Sequence, residues 1–238
     1  NGADTTNDVD IAAGSATDST GAVSIAGAAM TKQLDAGWAP GSAAGMRNSG
    51  AAITDTTYHI YLVAKALGAD PDYYAHTSIT VATVITALQA ESGGSAYIYA
   101  RRIGSIIRAS AAIRLFRQYG DFFKLLTAIT DRSSTSAVSA AALAVSVPSG
   151  IKVRPLFRIS HRQGTVGNTS VGLGDGDSTS PMITVLQTIN DSALVTGIAD
   201  GFFTNTSAQI SFEAVISSGT INSSALITYG WVDTRGQT

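Results

Sequence analysis

Short runs in which apolar and polar side chains alternate one by one constrain this chain more than any other feature. In Ile151-Lys152-Val153-Arg154-Pro155-Leu156-Phe157-Arg158-Ile159, the odd positions are Ile, Val, Pro, Phe and Ile. Lys152, Arg154 and Arg158 occupy the even ones, with Leu156 the exception. Successive side chains of a strand point to opposite sides, so only an extended segment separates the two sets this way. Pro155 has no N–H to give a ladder, which predicts an edge strand or a bulge there. Residues 209–216, QISFEAVI, alternate too and place Ile210, Phe212, Ala214 and Ile216 inward. Residues 57–67, TYHIYLVAKAL, are apolar on both faces, as expected of a strand covered on each side.

Further strands are predicted at 9–13, 22–28, 30–34, 97–108, 112–117, 122–126, 141–147, 183–189, 193–203 and 225–231. Turn chemistry separates them: Asp18-Ser19-Thr20-Gly21, Gly68-Ala69-Asp70-Pro71, Pro148-Ser149-Gly150 and Ser217-Ser218-Gly219. Many short strands with turns between them predict an all-β chain, an antiparallel β-sandwich of jelly-roll type. One short helix is expected near 80–91, TVATVITALQAE, stopping at Ser92-Gly93-Gly94. No fixed-period repeat or heptad array is present, which argues against a solenoid or coiled coil. A chain of 238 residues fits a single sandwich domain. The alternative is a boundary near 131–137, where Ser133-Ser134-Thr135-Ser136-Ala137 reads as a loop. Residues 37–56, 68–78 and 164–181 read as loops as well.

The chain has no cysteine, which removes disulfides, thiolate metal sites and a cysteine nucleophile together. Only 13% of its residues are charged, about half the usual share, and hydroxyl side chains supply much of the polarity. That balance suits extracellular or virion-type β proteins. No run approaches the ~18–20 apolar residues of a membrane span, so no membrane insertion is expected. No basic leader with an apolar core is visible, and the start at Asn1 rather than Met fits a processed or partial start.

The net charge of −2 hides a segregation. From Arg101 to Arg162 there are eleven Lys and Arg against Asp121 and Asp131, a balance of +9, so the flanks sum to −11. Solvated faces that neutralise one another are the default expectation. The sharper reading gathers the arginines on one face, to meet phosphate, lipopolysaccharide or an acidic neighbouring subunit.

Candidate chemistry is sparse. His59, His76 and His161 lack partners at metal-ligand spacing, and His59 sits inside a predicted strand, where a hydrogen-bonded sheet histidine is the expectation. No G-x-S-x-G elbow occurs. Gly172-Leu173-Gly174-Asp175-Gly176-Asp177 lacks the lysine and following helix of a phosphate loop, and two carboxylates are too few for calcium, so a surface loop is expected. Glutamate occurs only at Glu91 and Glu213, and no carboxylate pair for glycoside hydrolysis can be assigned. Tyr97, Tyr99, Arg101 and Arg102 interleave aromatic and basic groups as stacking platforms do. On a strand, however, Arg101 and Arg102 point opposite ways. That disfavours a nucleic-acid groove and makes each an anchor for its own neighbouring strand or subunit.

Three stretches carry a likeness: Tyr58-His59-Ile60-Tyr61-Leu62, Arg101-Arg102-Ile103-Gly104-Ser105-Ile106 and Phe116-Arg117-Gln118-Tyr119-Gly120-Asp121. With Asp10-Ile11-Ala12-Ala13-Gly14, residues 30–38 (MTKQLDAGW) and a closing Gly230-Trp231-Val232-Asp233-Thr234-Arg235-Gly236, the order resembles a distal, C-terminal domain family of tailed-bacteriophage virion proteins: tail fibre, baseplate or head spike. The resemblance is patchy between 160 and 220, and residues 67–91 are longer than the family pattern.

It implies a virion structural protein, a fibre or spike, that works by binding rather than catalysis and carries no cofactor. Expected partners are other virion proteins, further copies of the chain (a homotrimer first) and a host cell-surface glycan. Tyr73, Tyr74 and His76 are the expected receptor contacts; Arg101, Arg102, Arg154 and Arg158 are the expected interface or structural positions. The alternatives are a capsid-decorating or head-fibre part without a receptor role and, in another class, a polysaccharide-degrading enzyme.

Overall fold

The computed structural model describes residues 4–178, 183–188 and 194–235. The chain divides into two compact units, Asn1–Arg114 and Leu115–Thr238. Residues 131–137 are the end of one strand and the turn into the next.

The first unit contains β1 (Asp8–Ile11), β2 (Gly14–Thr17), β3 (Ser24–Gly27), β4 (Met30–Gly37), β5 (Ala44–Arg47), β6 (Thr57–Ala64), a 3-10 turn (Ala66–Gly68), β7 (Asp72–His76), α1 (Val81–Gln89), β8 (Tyr99–Ala109) and β9 (Ala112–Ile113). Seven strands form one sheet in the order β1-β4-β5-β7-β6-β8-β9, and β2-β3 is a separate hairpin. Pairing is antiparallel except β4–β5 and β5–β7, which are parallel.

Every residue of β6 is buried, because its two faces meet different covers. Tyr61 and Val63 pack with Val84 and Leu88 of α1, together with Trp38, Tyr74, Tyr97 and Ala100. Leu62 and Ala64 pack with Tyr73 and with Ile25 of β3. This is the doubly apolar strand the sequence predicts, and α1 is the predicted helix, with Val84 and Leu88 one turn apart on its buried side. The chain turns away after it through Gly94, where a Cβ would stand 1.8 Å from the Leu88 carbonyl oxygen.

The second unit contains β10 (Phe116–Tyr119), β11 (Phe122–Ser134), β12 (Val138–Ala144), β13 (Arg154–Gly174), β14 (Ile183–Thr188), β15 (Leu194–Ala199) and β16 (Gln209–Val232). The 21-residue β13 and 24-residue β16 pair along almost their whole length. β11 and β12 flank opposite halves of β16, while β15 and β14 flank opposite halves of β13.

The register slips repeatedly between Arg162 and Thr169, and there the ladder bends back on itself. His161 Nε2 lies 2.8 Å from Thr169 Oγ1. Eight residues of straight strand would hold those positions ~26 Å apart, so the two halves of β13 face each other. Ile159 and Leu226 of one half of the ladder and Val171, Leu173, Ile210 and Phe212 of the other are all buried. The fold is thus nearly all β with sheet packed on sheet in a sandwich-like arrangement, as the alternation predicts.

Several predicted loops are corrected. The 37–56 stretch holds β5, the 68–78 stretch holds β7, and residues 164–174 continue β13; residues 179–181 lie outside the described ones. The predicted strands at 209–216 and 225–231 are one strand, because 217–224 stays paired through the bend. Ile210, Phe212 and Ala214 point inward as expected, but Ile216 is exposed. At Pro155 only β16 lies alongside, since β15 begins opposite Phe157, and a bulge follows at once between Leu156 and Phe157.

Candidate interaction surface

The aromatic pair expected at a receptor is in the core. Tyr73 and Tyr74 are 2% and 0% exposed. The Tyr73 hydroxyl donates to the Ala28 carbonyl at 3.0 Å, and burial pushes the Tyr74 hydroxyl's pKa up. His76 is half-buried and stacks on Tyr74 at 6.1 Å. Its Nδ1 accepts the Ser78 N–H at 2.9 Å, and burial lowers its pKa. Consecutive residues of a doubly covered strand both face apolar layers, which is why two adjacent tyrosines read as a surface patch yet are not one.

Arg101 pairs in register with Leu62 and Arg102 with Tyr61. Those partners belong to the hairpin-side and helix-side clusters respectively, so the two guanidiniums leave the sheet on opposite sides. Arg102 donates to Ser105 Oγ at 3.1 Å, and Ser105 Oγ lies 2.8 Å from His59 Nδ1. His59 is thus a hydrogen-bonded sheet histidine.

Lys32 and Asp72, 0% and 2% exposed, form an ion pair at 2.9 Å. The ammonium also donates to the carbonyls of Ala39 and Gly41 at 2.8 and 3.0 Å. The carboxylate accepts the N–H groups of Tyr73 and Gly41, both at 2.6 Å. Burial lowers the Lys32 pKa while Asp72 opposes it. With three acceptors around the ammonium, this is a lock on the β4–β5 connection, and no pattern in the sequence announces it.

The Gly172–Asp177 segment is the end of β13 and a turn. Asp175 Oδ1 accepts the Phe203 N–H at 2.7 Å, and Asp177 pairs with Lys152 at 2.5 Å. Among the described residues, no group of three or more His, Asp or Glu is placed to hold a metal ion, and no helix is long and apolar enough to cross a membrane.

The outward face of the sheet β15-β13-β16-β11-β10 has the character of a contact surface. On β13, residues 155, 157, 159, 161 and 163 are buried, so Arg154, Leu156, Arg158, Ser160 and Arg162 point out. Register then assigns their companions on the same side. Ile198, Arg158, Ile227 and Thr130 form one row; Leu194, Arg162 and Ser223 a second; Leu156, Gly230, Lys124 and Arg117 a third; Arg154, Val232, Phe122 and Tyr119 a fourth.

Ile198 is 83% exposed, Leu194 62% and Tyr119 57%, and the Arg158 guanidinium sits 5.9 Å from the Tyr229 ring centroid. Five cations share this face, and no Asp or Glu occupies the described strand positions that face the same way. These five lie on one face of the sheet, the arrangement of the sharper charge reading. The alternation around Arg154 and Arg158 pointed to the face; Arg117, Lys124, Leu194 and Ile198 joined it only through strand register.

The stretches that carry the family likeness lie next to one another within each unit. Residues 58–62 and 101–106 are cross-strand partners on β6 and β8. In the second unit, the Asp121 carboxylate pairs with Arg235, and the Asp121 main-chain carbonyl accepts the Asp233 N–H at 2.9 Å. Phe123 stacks on Trp231 at 5.4 Å. At Gly230 a Cβ would come within 2.1 Å of the Phe123 carbonyl oxygen, so only glycine fits.

No family model matches the chain, and no curated protein matches it. Among solved structures, a chain of the T13 IBDV viral particle is similar at 10% identity over 94% of this chain, with a TM-score of 0.23. This chain spans 63% of the length of that one.

Proposed function

We propose that the chain is a structural component of a tailed-bacteriophage virion, a fibre or spike part that works by surface contact rather than catalysis. The observation that carries this reading is the outward face of the second unit: exposed Ile198 and Leu194 beside Arg158 and Arg162, Tyr119 in the row of Arg154, and no Asp or Glu at the described strand positions that face the same way. Protein interfaces are enriched in aromatic side chains and Arg and depleted of Asp and Glu. Exposed Ile198 and Leu194, four residues apart on β15 and each paired with an arginine, fit such a contact. The resemblance supplies the virion context, and its Gly230, Trp231, Asp121 and Arg235 make packing and pairing contacts within the second unit. Contact with a host glycan does not rest on Tyr73 and Tyr74, whose rings are in the core.

Peptide mapping of purified particles, with electron microscopy of particles labelled by an antibody to the chain, tests the assignment. The expected result is the chain in fixed stoichiometry on a fibre or spike; its absence from intact particles rejects the reading. A sugar-release assay on host envelope polysaccharide separates binder from enzyme, since a binder liberates nothing.

A further inference from the structure

We infer that the basic, apolar face of the second unit is occupied by the acidic end of the first unit of a second copy of this chain, a head-to-tail contact. This rests on the contact role proposed above and names its partner.

Charge complementarity selects the occupant. Residues 1–91 carry nine acids and three bases. Of those bases, Lys32 is buried against Asp72, Lys65 pairs with Asp70, and Arg47 donates to the carbonyls of Leu34 and Asn48. Three of the nine acids, Asp8, Asp10 and Asp35, lie at one sheet edge. On β4, Lys32 and Leu34 are buried, so Thr31, Gln33 and Asp35 point out. Asp8 and Asp10 of the terminal strand β1 pair with Gln33 and Thr31, which sets all three aspartates on one side. Burial raises the Asp8 pKa, and the neighbouring Asp4, Asp35 and Asp10 carboxylates raise it further.

A nucleic acid fits the basic face less well. Arg154, Arg158 and Arg162 repeat every fourth strand residue, ~13 Å apart, against a phosphate every ~3.4 Å along one DNA strand. The residues between them are aliphatic or hydroxylic rather than stacking aromatics. The exposed Leu194 and Ile198 offer no group to a phosphate and suit a protein surface better. Because donor face and acceptor edge are different surfaces, the contact is heterologous. Such a contact closes into a ring when its rotation allows, and three copies is one such ring.

Sedimentation velocity on the purified full chain, over a concentration series at low and high salt, reads the association directly. The expected wild-type result is a species of more than one chain, weakened by salt. Arg158→Glu with Lys124→Glu, and separately Asp35→Lys, should each weaken association about ten-fold or more, while far-ultraviolet circular dichroism stays unchanged. Combining all three substitutions should restore association, since the swapped charges again attract.

A wild-type chain that remains a monomer at low salt at every concentration overturns the inference. So does an oligomer indifferent to the reversals, or a combination that restores nothing. Finding the chain on particles while any of these holds would leave the virion role standing and remove only this contact.

Discussion

Removing Lys32 tests the energetics of the first unit most sharply. Lys32→Met keeps most of the side-chain volume and deletes the ammonium. The Asp72 carboxylate, 2% exposed, then keeps two N–H donors but no cation, and the carbonyls of Ala39 and Gly41 lose their donor. Stripping one partner from a buried pair costs ~3–5 kcal/mol, a large part of the ~5–15 kcal/mol that holds a domain folded.

The two tryptophans make the assay local: Trp38 lies in the first unit, 5.9 Å from Lys32 Nζ, and Trp231 in the second. Fluorine NMR of 5-fluorotryptophan-labelled protein therefore follows each unit by its own resonance through a urea titration. With a slope of ~2 kcal/mol per molar urea, the Trp38 midpoint should fall by about 2 M, and the Trp231 midpoint should hold. Adding Asp72→Asn to Lys32→Met removes the stranded charge and should recover ~1–2 kcal/mol. A Trp38 midpoint within about 0.5 M of wild type, or further loss in the double variant, would refute the reasoning.

Other outcomes follow from the same geometry. Leu88→Ala opens a cavity under α1, where Leu88 is 0% exposed, and should cost ~2–5 kcal/mol in the Trp38 transition. Gly230→Ala forces a Cβ onto the Phe123 carbonyl and should cost ~3 kcal/mol or more, read at Trp231. His76 and His161 both have pKa values lowered by burial. The unfolded chain therefore takes up protons first as pH falls. Stability present above the unfolded value of ~6.5 is lost as pH drops toward each folded value. Urea midpoints at about pH 7.5 and 5.5 should show both units weakening in acid, with His76→Gln flattening only the first unit's response and His161→Gln only the second's.

The face of the second unit shows how far local pattern reaches. Alternation at 151–159 put Arg154 and Arg158 on the side away from the core, and they are there. Alternation says nothing about which strand lies alongside, so Lys124, Arg117, Leu194 and Ile198 could not be joined to them from the sequence. The reverse failure occurs at Tyr73 and Tyr74. Asp70-Pro71 upstream signals a turn, and the short strand that follows is half of a pattern completed only by parallel pairing with β5 and by covers on both faces.

Sequence alone determined the β character, the short helix α1, the doubly buried β6 and the opposed Arg101 and Arg102, because each depends on a side chain's direction relative to its immediate neighbours. Tertiary structure alone decided the bend that brings His161 to Thr169, the Lys32–Asp72 lock and the gathering of five cations on one face. Those depend on register and on contacts between residues far apart in the chain, and no local period encodes which distant strand will pair with which.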